Sequence, residues 1–414
     1  MRSRNLLNEV LVALADTPVV LINGPRQSGK STLTQAPELV KQGRRYFTFD
    51  QPSVLAAAKS DPEGFVAGLP EKVTLDEIQH VPELFPVIKA AVDRHRTPGR
   101  FLLTGSANVL LLPKLSESLA GRMEILTLWP FSQGELHHKK EDFIDQLFSQ
   151  KPHCLSHPIT KRVSRTTFLA SAMSGGYPPI LTRPTSTRRK AWFQSYLTTI
   201  LQRDVRNFSD ISDLNALPRL LTATAARAGS LLNFTDLGRS LMLPQTTVKR
   251  YFTLLELTFL VQLLRPWSTN LGQRVIQTRK AYINDTGLLT HLLGITSNRL
   301  SLDPSLAGSI MENFILMELL KQATWSKRQP EFFFWRTASG QEVDLLLEDQ
   351  EGRLVGIEIK AGATLGKKDV SSLQTLAALA GKRWVRGVIL YTGNEIIPFG
   401  KNLHAIPIHY LWEK

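Results

Sequence analysis

One short run of residues near the amino terminus has the composition of a phosphate-binding loop. Its pattern, G-x-x-x-x-G-K-[ST], is matched at every fixed position. Glycines let backbone N–H groups turn towards phosphate oxygens, and the following helix presents its positive end to the same anion. Lys30 is predicted to bridge the β and γ phosphates of ATP, and the Ser31 hydroxyl to ligate Mg²⁺. The residues predicted to contact the nucleotide in this run are Gly24, Pro25, Arg26, Gln27, Ser28, Gly29, Lys30, Ser31 and Thr32.

Two adjacent carboxylates supply the second part of this predicted site. Asp76 and Glu77 end an apolar run at residues 73–77, far enough beyond Lys30 for the crossover that two parallel strands require. Asp76 is predicted to hold the Mg²⁺ shell, and Glu77 to orient or deprotonate the attacking water. The two motifs together predict catalysis of ATP hydrolysis.

Alternating strands and helices must position these side chains. Apolar runs predict strands at residues 19–23, 46–50, 73–77 and 100–104, with helices between them such as 81–95. This alternation is typical of an α/β fold with a doubly wound parallel sheet. Ligands bind such sheets at the carboxyl ends of the strands, where both motifs fall.

Polar residues after the last of these strands are candidates for contact with the γ phosphate. Thr104, Ser106 and Asn108 each have the chemistry of a sensor, and Ser106 is counted here with the nucleotide site; an ordinary loop start is the alternative. Arg122 is also counted with it, as an arginine finger acting within the chain or on a neighbouring subunit of a homo-oligomer. A structural role for Arg122 stays open.

The composition excludes several classes of protein. Hydrophobic residues make up 43% and charged residues 21% of the 414-residue chain, as in folded globular proteins. No apolar run approaches the ~20 residues that span a bilayer, and the amino terminus lacks a signal-peptide pattern. The single cysteine, Cys154, excludes an internal disulfide and fits a reducing compartment. We therefore expect a cytoplasmic protein of three domains without a membrane segment.

The net charge is concentrated in the middle third of the chain. Residues 151–280 contain 19 Lys and Arg against 5 Asp and Glu, which equals the formal excess of +14 for the whole chain. A localised basic excess favours a polyanionic partner, most simply nucleic acid and here DNA. A basic surface that only keeps the protein in solution is the alternative.

A helix-turn-helix is predicted within this basic third. Apolar residues recur at helical spacing over 231–241 and 245–256, with a short turn between the two segments. The second segment exposes Lys249 and Arg250 near its start, where a recognition helix carries its contacts. We expect both to bind phosphates with little sequence choice. A protein-interaction module or a spacer is the alternative.

Two further strands, predicted at residues 260–264 and 281–284, would turn this motif into a winged helix. The loop between them is basic, with Arg265, Arg274, Arg279 and Lys280.

The last third contains two carboxylates and a lysine at the spacing D-x₁₃-E-x-K. A hairpin centred on Glu351 places Asp344 opposite Glu358, ~5 Å apart at Cβ. Two such carboxylates repel, and a divalent cation such as Mg²⁺ relieves the repulsion. Lys360 shares their face and can polarise water or stabilise a phosphorane-like transition state. This predicts metal-dependent phosphodiester cleavage, with an idle polar hairpin face as the alternative. Glu312 joins the site only if its helix packs against the hairpin.

The whole pattern resembles a widespread family of bacterial and archaeal ATPases. In that family an AAA+-type P-loop core is followed by a winged helix and a PD-(D/E)XK nuclease-like domain. The motifs that carry the resemblance are GPRQSGKST, LDEIQ, LLTGSAN, LAGR, GGYP, QRD, NDTGL, EVDLLL and EIKAG.

This resemblance implies a division of the chain at stated positions. The ATPase core is expected at residues 1–150, a helical lid and winged helix at 165–280, and a restriction-endonuclease-like α/β domain at 281–414. It also implies phosphate contact by Lys30, metal contact by Ser31 and Asp76, water activation by Glu77, and a nuclease-type site at Asp344, Glu358 and Lys360. All three of these residues are expected to be catalytic, and Asp344 and Glu358 are also expected to be the metal ligands.

Two functions therefore stand at this stage. The first is an ATPase that controls engagement, and cutting, of nucleic acid through its carboxyl-terminal domain. The second is an ATP-driven signalling or protein-interaction switch in which the hairpin carboxylates are idle.

Overall fold

The computed structural model describes residues 2–108, 119–152, 163–205, 215–269 and 278–413, without the side chains of 203 and 204. Cys154 and Arg274 lie outside these ranges. Within them, every helix is too short or too polar to cross a membrane. The chain forms two compact units. The first unit contains Met1–Phe131, Tyr177–Pro179 and Glu256–Phe259, and the second contains Ser132–Gly176, Ile180–Leu255 and Leu260–Lys414.

The first unit is built on a parallel sheet. Its strands are β1 (Val19–Asn23), β2 (Arg45–Thr48), β3 (Val73–Asp76), β4 (Phe101–Gly105) and β5 (Met123–Thr127). They lie in the order β2-β3-β4-β1-β5, and every pair is parallel. The helices are α1 (Leu7–Asp16), α2 (Lys30–Thr34), α3 (Pro37–Val40), α4 (Pro52–Ser60), α5 (Pro62–Ala67) and α6 (Leu84–Arg94). The predicted α/β fold with a parallel P-loop sheet is confirmed.

Both faces of this sheet are covered, which explains why its interior strand β1 is apolar from Val19 to Ile22. Val20 and Ile22 of β1 face the cluster that contains residues of α1, while Val19 and Leu21 face the cluster that contains residues of α6. Alternate residues of a strand point to opposite faces, so all of β1 is buried. A continuous hydrophobic run is therefore required here, and polar atoms collect where the strands end.

The second unit begins with a helical region. Its helices are α7 (Gln133–Leu136), α8 (Phe143–Phe148), α9 (Arg165–Ser174), α10 (Pro178–Leu181, which begins in the first unit), α11 (Ser186–Thr199), α12 (Ala216–Ala225), α13 (Phe234–Leu241), α14 (Gln245–Leu257, whose last two residues belong to the first unit), α15 (Thr286–Leu292), α16 (Ser297–Leu302), α17 (Ala307–Ala323) and α18 (Lys368–Ala380). A single π-helical turn, Ile200–Asp204, follows α11.

Helices α13 and α14 are the two helices predicted for the helix-turn-helix. Asn233 caps α13 by accepting from the N–H groups of Thr235 and Asp236. The turn between them begins at Met242, which adopts a left-handed conformation.

A mixed sheet of eight strands completes the second unit. Its strands are β6 (Val261–Pro266), β7 (Lys280–Ile283), β8 (Glu331–Arg336), β9 (Glu342–Glu348), β10 (Leu354–Lys360), β11 (Trp384–Tyr391), β12 (Ile397–Gly400) and β13 (Leu403–Pro407). Their order is β12-β13-β11-β10-β9-β8-β6-β7. One face of β10 packs into the cluster that contains α17, and the other face meets the cluster that contains α18. The sheet is therefore covered on both sides.

The two strands predicted for a wing do pair, but they do not stand apart. Val261 of β6 lies opposite Ile283 of β7 in an antiparallel pair. β6 also pairs in parallel with β8, where Arg265 lies opposite Phe333. The pair is therefore the edge of the eight-stranded sheet. Sequence periodicity shows that two strands exist and cannot show which third strand one of them joins.

The start of the second unit contains carboxylates that are packed away from water. Glu141 is only 4% exposed and accepts a hydrogen bond of 2.7 Å from the N–H of Gly134. Glu318 accepts from the N–H of Gln133 at 2.8 Å and pairs with Lys321 at 2.6 Å. Burial raises the pKa of Glu141 to about 8, and the charge of Glu318 adds to this against a hydrogen bond from Ser132.

Glu141→Gln is expected to make the chain more stable at alkaline pH. The folded chain keeps a proton on Glu141 up to about pH 8, whereas the unfolded chain releases that proton above pH 4.5. The free energy of unfolding of the wild type therefore falls as the pH rises from 4.5 to about 8. A neutral amide has no such loss. We expect the variant to gain roughly 2–4 kcal/mol in free energy of unfolding at pH 8.5 and nothing near pH 4.5. Urea unfolding across this pH range measures the difference, and identical pH dependence in the two proteins would contradict it.

Candidate functional site

The loop between β1 and α2 is shaped by two glycines. Gly24 has φ +142°, and a Cβ there would lie 2.3 Å from the carbonyl oxygen of Leu128. Gly29, the residue before α2, has φ +100°, a left-handed conformation that side chains disfavour. The pattern therefore has glycine where the backbone must turn sharply between strand and helix. This is the strand-loop-helix context that the sequence motif requires.

Lys30 points back over this loop. Its side chain is 3% exposed, and Nζ donates to the carbonyl oxygens of Gly24 and Pro25 at 3.0 Å each. The ammonium group is thus held against the loop backbone at the start of α2. A phosphate oxygen is a stronger acceptor than these neutral carbonyls, because charge-assisted hydrogen bonds are roughly twice as strong.

Asp76, the last residue of β3, joins four elements. Ser31 Oγ of α2 lies 3.0 and 3.1 Å from its two carboxylate oxygens. Thr104 Oγ1 of β4 donates to Oδ1 at 2.5 Å, and the Tyr46 hydroxyl of β2 donates to Oδ2 at 2.7 Å. The Ser31 hydroxyl and the Asp76 carboxylate are therefore placed as a pair, as predicted for residues that share a metal ion.

Tyr46 was missed by sequence reasoning as a site residue. Its hydroxyl contacts Asp76 because β2 and β3 are adjacent, with Tyr46 opposite Thr74 in the register. Burial and the hydrogen bond to Asp76 raise the pKa of Tyr46, so the phenol stays protonated and remains a donor. Only its place at the start of a predicted strand could have drawn attention to it.

Glu77 occupies an unusual backbone position next to Asp76. It has φ +59°, the left-handed region in which side chains other than glycine are strained. Its N–H donates to Thr104 Oγ1 at 3.0 Å. Its carboxylate accepts from Ser106 Oγ at 2.9 Å and from the side-chain amide of Gln79. The strained turn directs this carboxylate away from the strand.

The surroundings of Glu77 keep it ionised. Burial by itself would raise its pKa, but the charge of Lys30 and the hydrogen bonds from Gln79 and Ser106 outweigh burial, so the pKa lies below its ordinary value. An ionised carboxylate can orient water or accept a proton from it. Of the three sensor candidates, Thr104 therefore contacts Asp76 and Ser106 contacts Glu77, whereas the N–H of Asn108 donates to the carbonyl of Leu257.

The placement of Arg122 corrects its assignment to the nucleotide site of its own chain. Arg122 precedes β5, and Val19 at the start of β1 lies opposite Met123. It therefore lies at the amino ends of parallel strands, whereas Lys30 follows the carboxyl end of β1. Its guanidinium instead pairs with Asp93, with Nη2 at 3.0 Å from Oδ2. A role towards a neighbouring subunit stays a prediction.

The carboxyl-terminal carboxylates lie on β9 and β10 in the expected register. Leu345 is opposite Ile357, so the next step along the hairpin brings Asp344 to Glu358. Asp344 Oδ2 accepts from the N–H of Ile359 at 2.8 Å, and Lys360 Nζ lies 2.8 Å from Glu358 Oε1. Burial raises the pKa of Asp344 well above its ordinary value, and the charges of Glu358 and Glu312 add to the effect. Burial likewise raises the pKa of Glu358, against the opposing charge of Lys360.

Lys280 was expected in a basic loop between two strands, and the structure corrects this because Lys280 is the first residue of β7. It is 2% exposed, and Nζ lies 3.0 Å from Glu312 Oε1 and 2.5 Å from Glu342 Oε1. Tyr282 donates to the same oxygen of Glu312 at 2.7 Å. Burial would lower the pKa of Lys280, but the charges of Glu312, Asp344 and Glu342 prevail and raise it. Glu312, on α17, therefore does belong to the surroundings of Asp344.

Asp344 and Glu358 offer carboxylate oxygens, which are ligands that Mg²⁺ accepts in proteins. Among the described residues, no three His, Cys, Asp or Glu side chains are grouped as a metal centre. Glu358 Oε2 is nevertheless buried without a hydrogen-bond partner in the described part of the chain. The carboxylates here outnumber the cations that pair with them and leave a formal charge of −2 when all are ionised. The carboxylates are Glu312, Glu342, Asp344, Glu358 and Asp369, and the cations are Lys280, Arg336 and Lys360. Mg²⁺ needs only one or two protein carboxylates, so Asp344 and Glu358 fit such an ion.

Lys249 and Arg250 lie on the exposed side of α14, near its start. Both residues are exposed, as are Gln245 and Thr246. Lys249 Nζ is 5.9 Å from the ring of Phe234, and the Arg250 guanidinium is 5.4 Å from the ring of Tyr251. Neither forms an ion pair with any residue that the structure describes. Both charges are therefore available to an anionic partner.

Comparison with family models divides the chain into three matched segments. Residues 16–137 match the model described as an AAA domain. Residues 165–299 and 307–411 match two models described as domains of unknown function, DUF8612 and DUF4143. The amino-terminal segment is therefore a P-loop ATPase domain of the AAA type.

The chain is also similar over most of its length to proteins from bacteria. It is 34% identical to the uncharacterized protein Rv2008c of Mycobacterium tuberculosis over 398 residues, which is 95% of this chain and 81% of that protein. An uncharacterized protein of Haemophilus influenzae is 23% identical, covering 78% of this chain and 79% of its own. Among solved structures, the Walker-type ATPase PABY2304 of Pyrococcus abyssi aligns with 71% of this chain and 96% of its own, at 15% identity and a TM-score of 0.42.

Proposed function

The chain belongs to the protein family of its mycobacterial relatives, and from this premise we propose that it hydrolyses Mg-ATP to control binding of DNA and its cleavage by the carboxyl-terminal region. The observation that carries the ATPase part is the meeting of Lys30, Ser31, Asp76 and Glu77 at one edge of a parallel sheet. These residues come from two segments that are far apart in the sequence, 30–31 and 76–77. Their chemistry matches the parts of a phosphoryl-transfer site.

Each of these residues has a defined task in the proposed reaction. Lys30 exchanges its backbone acceptors for oxygens of the β and γ phosphates. Ser31 and Asp76 would hold Mg²⁺, which when bound neutralises charge that develops on the phosphates. Glu77 holds the attacking water and accepts its proton. Ser106 fixes the Glu77 carboxylate through the 2.9 Å hydrogen bond.

Glu77→Gln is expected to separate nucleotide binding from turnover. The amide keeps the shape of the side chain and cannot accept a proton, so kcat for ATP hydrolysis should fall by roughly 100-fold or more while ATP still binds. Lys30→Ala should abolish turnover through loss of phosphate contact. Phosphate release and nucleotide binding are measured on each variant, with Asp344→Ala as the control that keeps wild-type turnover. Turnover that survives in Lys30→Ala would overturn the ATPase proposal.

The proposal of DNA binding is supported by charge and exposure. The whole formal excess of +14 falls within residues 151–280, and two exposed cations of that segment stand near the start of α14. Phosphate contacts of this kind give affinity that falls with salt and depends little on sequence.

Replacing Lys249 and Arg250 together with alanine is expected to weaken binding of duplex DNA and to flatten its salt dependence. Loss of two phosphate contacts would reduce the slope of log K against log salt by about 2. Fluorescence anisotropy at several salt concentrations measures both quantities. The matched control is Lys41→Ala with Lys59→Ala, two exposed lysines of the first unit. Equal effects of the two double variants would sink the assignment to α14.

The proposal of cleavage is supported by the pair of carboxylates and by Lys360. Asp344 and Glu358 would hold Mg²⁺, whose chemistry when bound is activation of water and neutralisation of the phosphodiester. Lys360, beside Glu358, is placed to stabilise negative charge on the phosphate.

One observation favours a second candidate function, an ATP-driven signalling switch with an idle nuclease-like region. Lys280 already provides a buried positive charge to Glu312 and Glu342. The Lys280 ammonium group therefore neutralises part of the negative charge that a bound metal ion would neutralise.

Cleavage of linear and branched DNA, with Mg²⁺ or Mn²⁺ and with or without ATP, decides between these functions. We expect cleavage by the wild type that is lost in Asp344→Ala, because one of the two ligands is gone, and that changes with ATP. ATP turnover in Asp344→Ala should stay at the wild-type rate. Failure of the wild type to cut under every condition would favour the switch, and cutting by Asp344→Ala at the wild-type rate would point to a contaminating nuclease.

A further inference from the structure

A cavity of about 770 Å³ lies among four helices of the second unit. Its walls come from α9, α11, α15 and the start of α16, including the loop that precedes α16. This volume lies within the range of roughly 300–1,000 Å³ typical of small-molecule sites. None of the residues to which ATP hydrolysis or DNA cleavage is assigned contributes to its lining.

The ionisable side chains among the described residues that line this cavity are all basic. Arg189 and Lys190 reach it from α11, and His291 reaches it from α15. None of the described residues that line it is acidic. Three basic groups directed at one space without a carboxylate among the lining residues form an environment that favours an anion.

Two of these basic groups are held in place by their neighbours. Arg189 donates to the carbonyl oxygen of Arg183 at 3.0 Å and to Ser174 Oγ at 3.3 Å. The His291 ring stacks on Phe193, with centroids 5.4 Å apart and planes at 25°. Burial lowers the pKa of His291, and the nearby charge of Lys190 lowers it further. The lowered pKa keeps the His291 ring neutral near neutral pH, and an anion bound beside the ring would raise that pKa.

The rest of the lining is suited to the organic part of a ligand. Hydroxyl groups of Ser186, Thr187 and Ser297 and the amide of Asn298 offer hydrogen bonds. Met173 and Ile295 offer apolar surface. A binding site with a few directed polar groups and an apolar floor is typical of small-molecule recognition.

We propose that this cavity binds a small organic phosphate of nucleotide size, with the phosphate against Arg189, Lys190 and His291. This ligand is distinct from the ATP assigned to the phosphate loop. The proposal does not depend on ATP hydrolysis or on DNA cleavage, because the cavity shares no residue with either site.

The test is calorimetric titration of the full-length chain with AMP, with ribose 5-phosphate and with a short single-stranded oligonucleotide. At least one of the two small phosphates should bind the wild type. Its Kd should rise about 10-fold or more in Lys190→Glu, because charge reversal replaces a cation of the cavity with an anion. Its Kd should also rise in His291→Gln, because the imidazole that would protonate beside a bound phosphate is gone. Thermal unfolding of each variant confirms that it is folded.

Two control variants locate the binding. Arg188→Glu reverses the charge of an exposed neighbour on α11 that does not line the cavity, and Lys30→Ala disables the phosphate loop. Both should leave Kd unchanged. The proposal is overturned if neither small phosphate binds, if only the oligonucleotide binds, if Arg188→Glu weakens binding as much as Lys190→Glu, or if Lys30→Ala abolishes binding.

Discussion

The arrangement of side chains at the carboxyl edge of the parallel sheet in the first unit depends on the carboxylate of Asp76. Side chains from α2, β2 and β4 all donate hydrogen bonds to its two oxygens. A buried carboxylate is costly unless such donors surround it, so these elements and the charge are stabilised together. The parallel register brings the carboxyl ends of β1, β3 and β4 to one edge, and the donors arrive there because the strands are adjacent. The same hydrogen-bond set places the Ser31 hydroxyl against the carboxylate.

Strain and charge at this edge are concentrated in Glu77. A left-handed backbone in a residue other than glycine costs of order 1–3 kcal/mol and persists only where the surroundings impose it. Here the N–H of Glu77 is held by Thr104, and the carboxylate by Ser106 and Gln79. The consequence is an ionised group aimed away from the strand, which is the state a water-activating residue requires.

In the second unit, a buried lysine lies among several carboxylates. Its sheet carries a cluster in which Lys280 is buried between Glu312 and Glu342, with Asp344 beside them. Removing a buried cation from such a cluster would leave uncompensated charges, so the lysine stabilises the carboxylates regardless of whether a metal ion binds. The cavity between α9, α11 and α15 has the opposite imbalance, with cations and no described acid in its lining. The second unit thus has an excess of carboxylates around Lys280 and an excess of basic side chains around the cavity.

The sequence alone determined the features that depend on local spacing. The glycines of residues 24–31 encode a turn that only they adopt easily. The turn centred on Glu351 set the hairpin register that placed Asp344 beside Glu358. Contacts between distant segments were decided only by the tertiary structure. Tyr46 reaches Asp76 because β2 neighbours β3, and Lys280 is buried because β6 joins β8. Arg122 lies at the edge of the sheet opposite to Lys30, because it precedes β5 whereas Lys30 follows β1, and the two strands are parallel. Spacing constrains a residue and its near neighbours, whereas the order of strands and the packing of helices depend on hydrophobic burial summed over the whole chain.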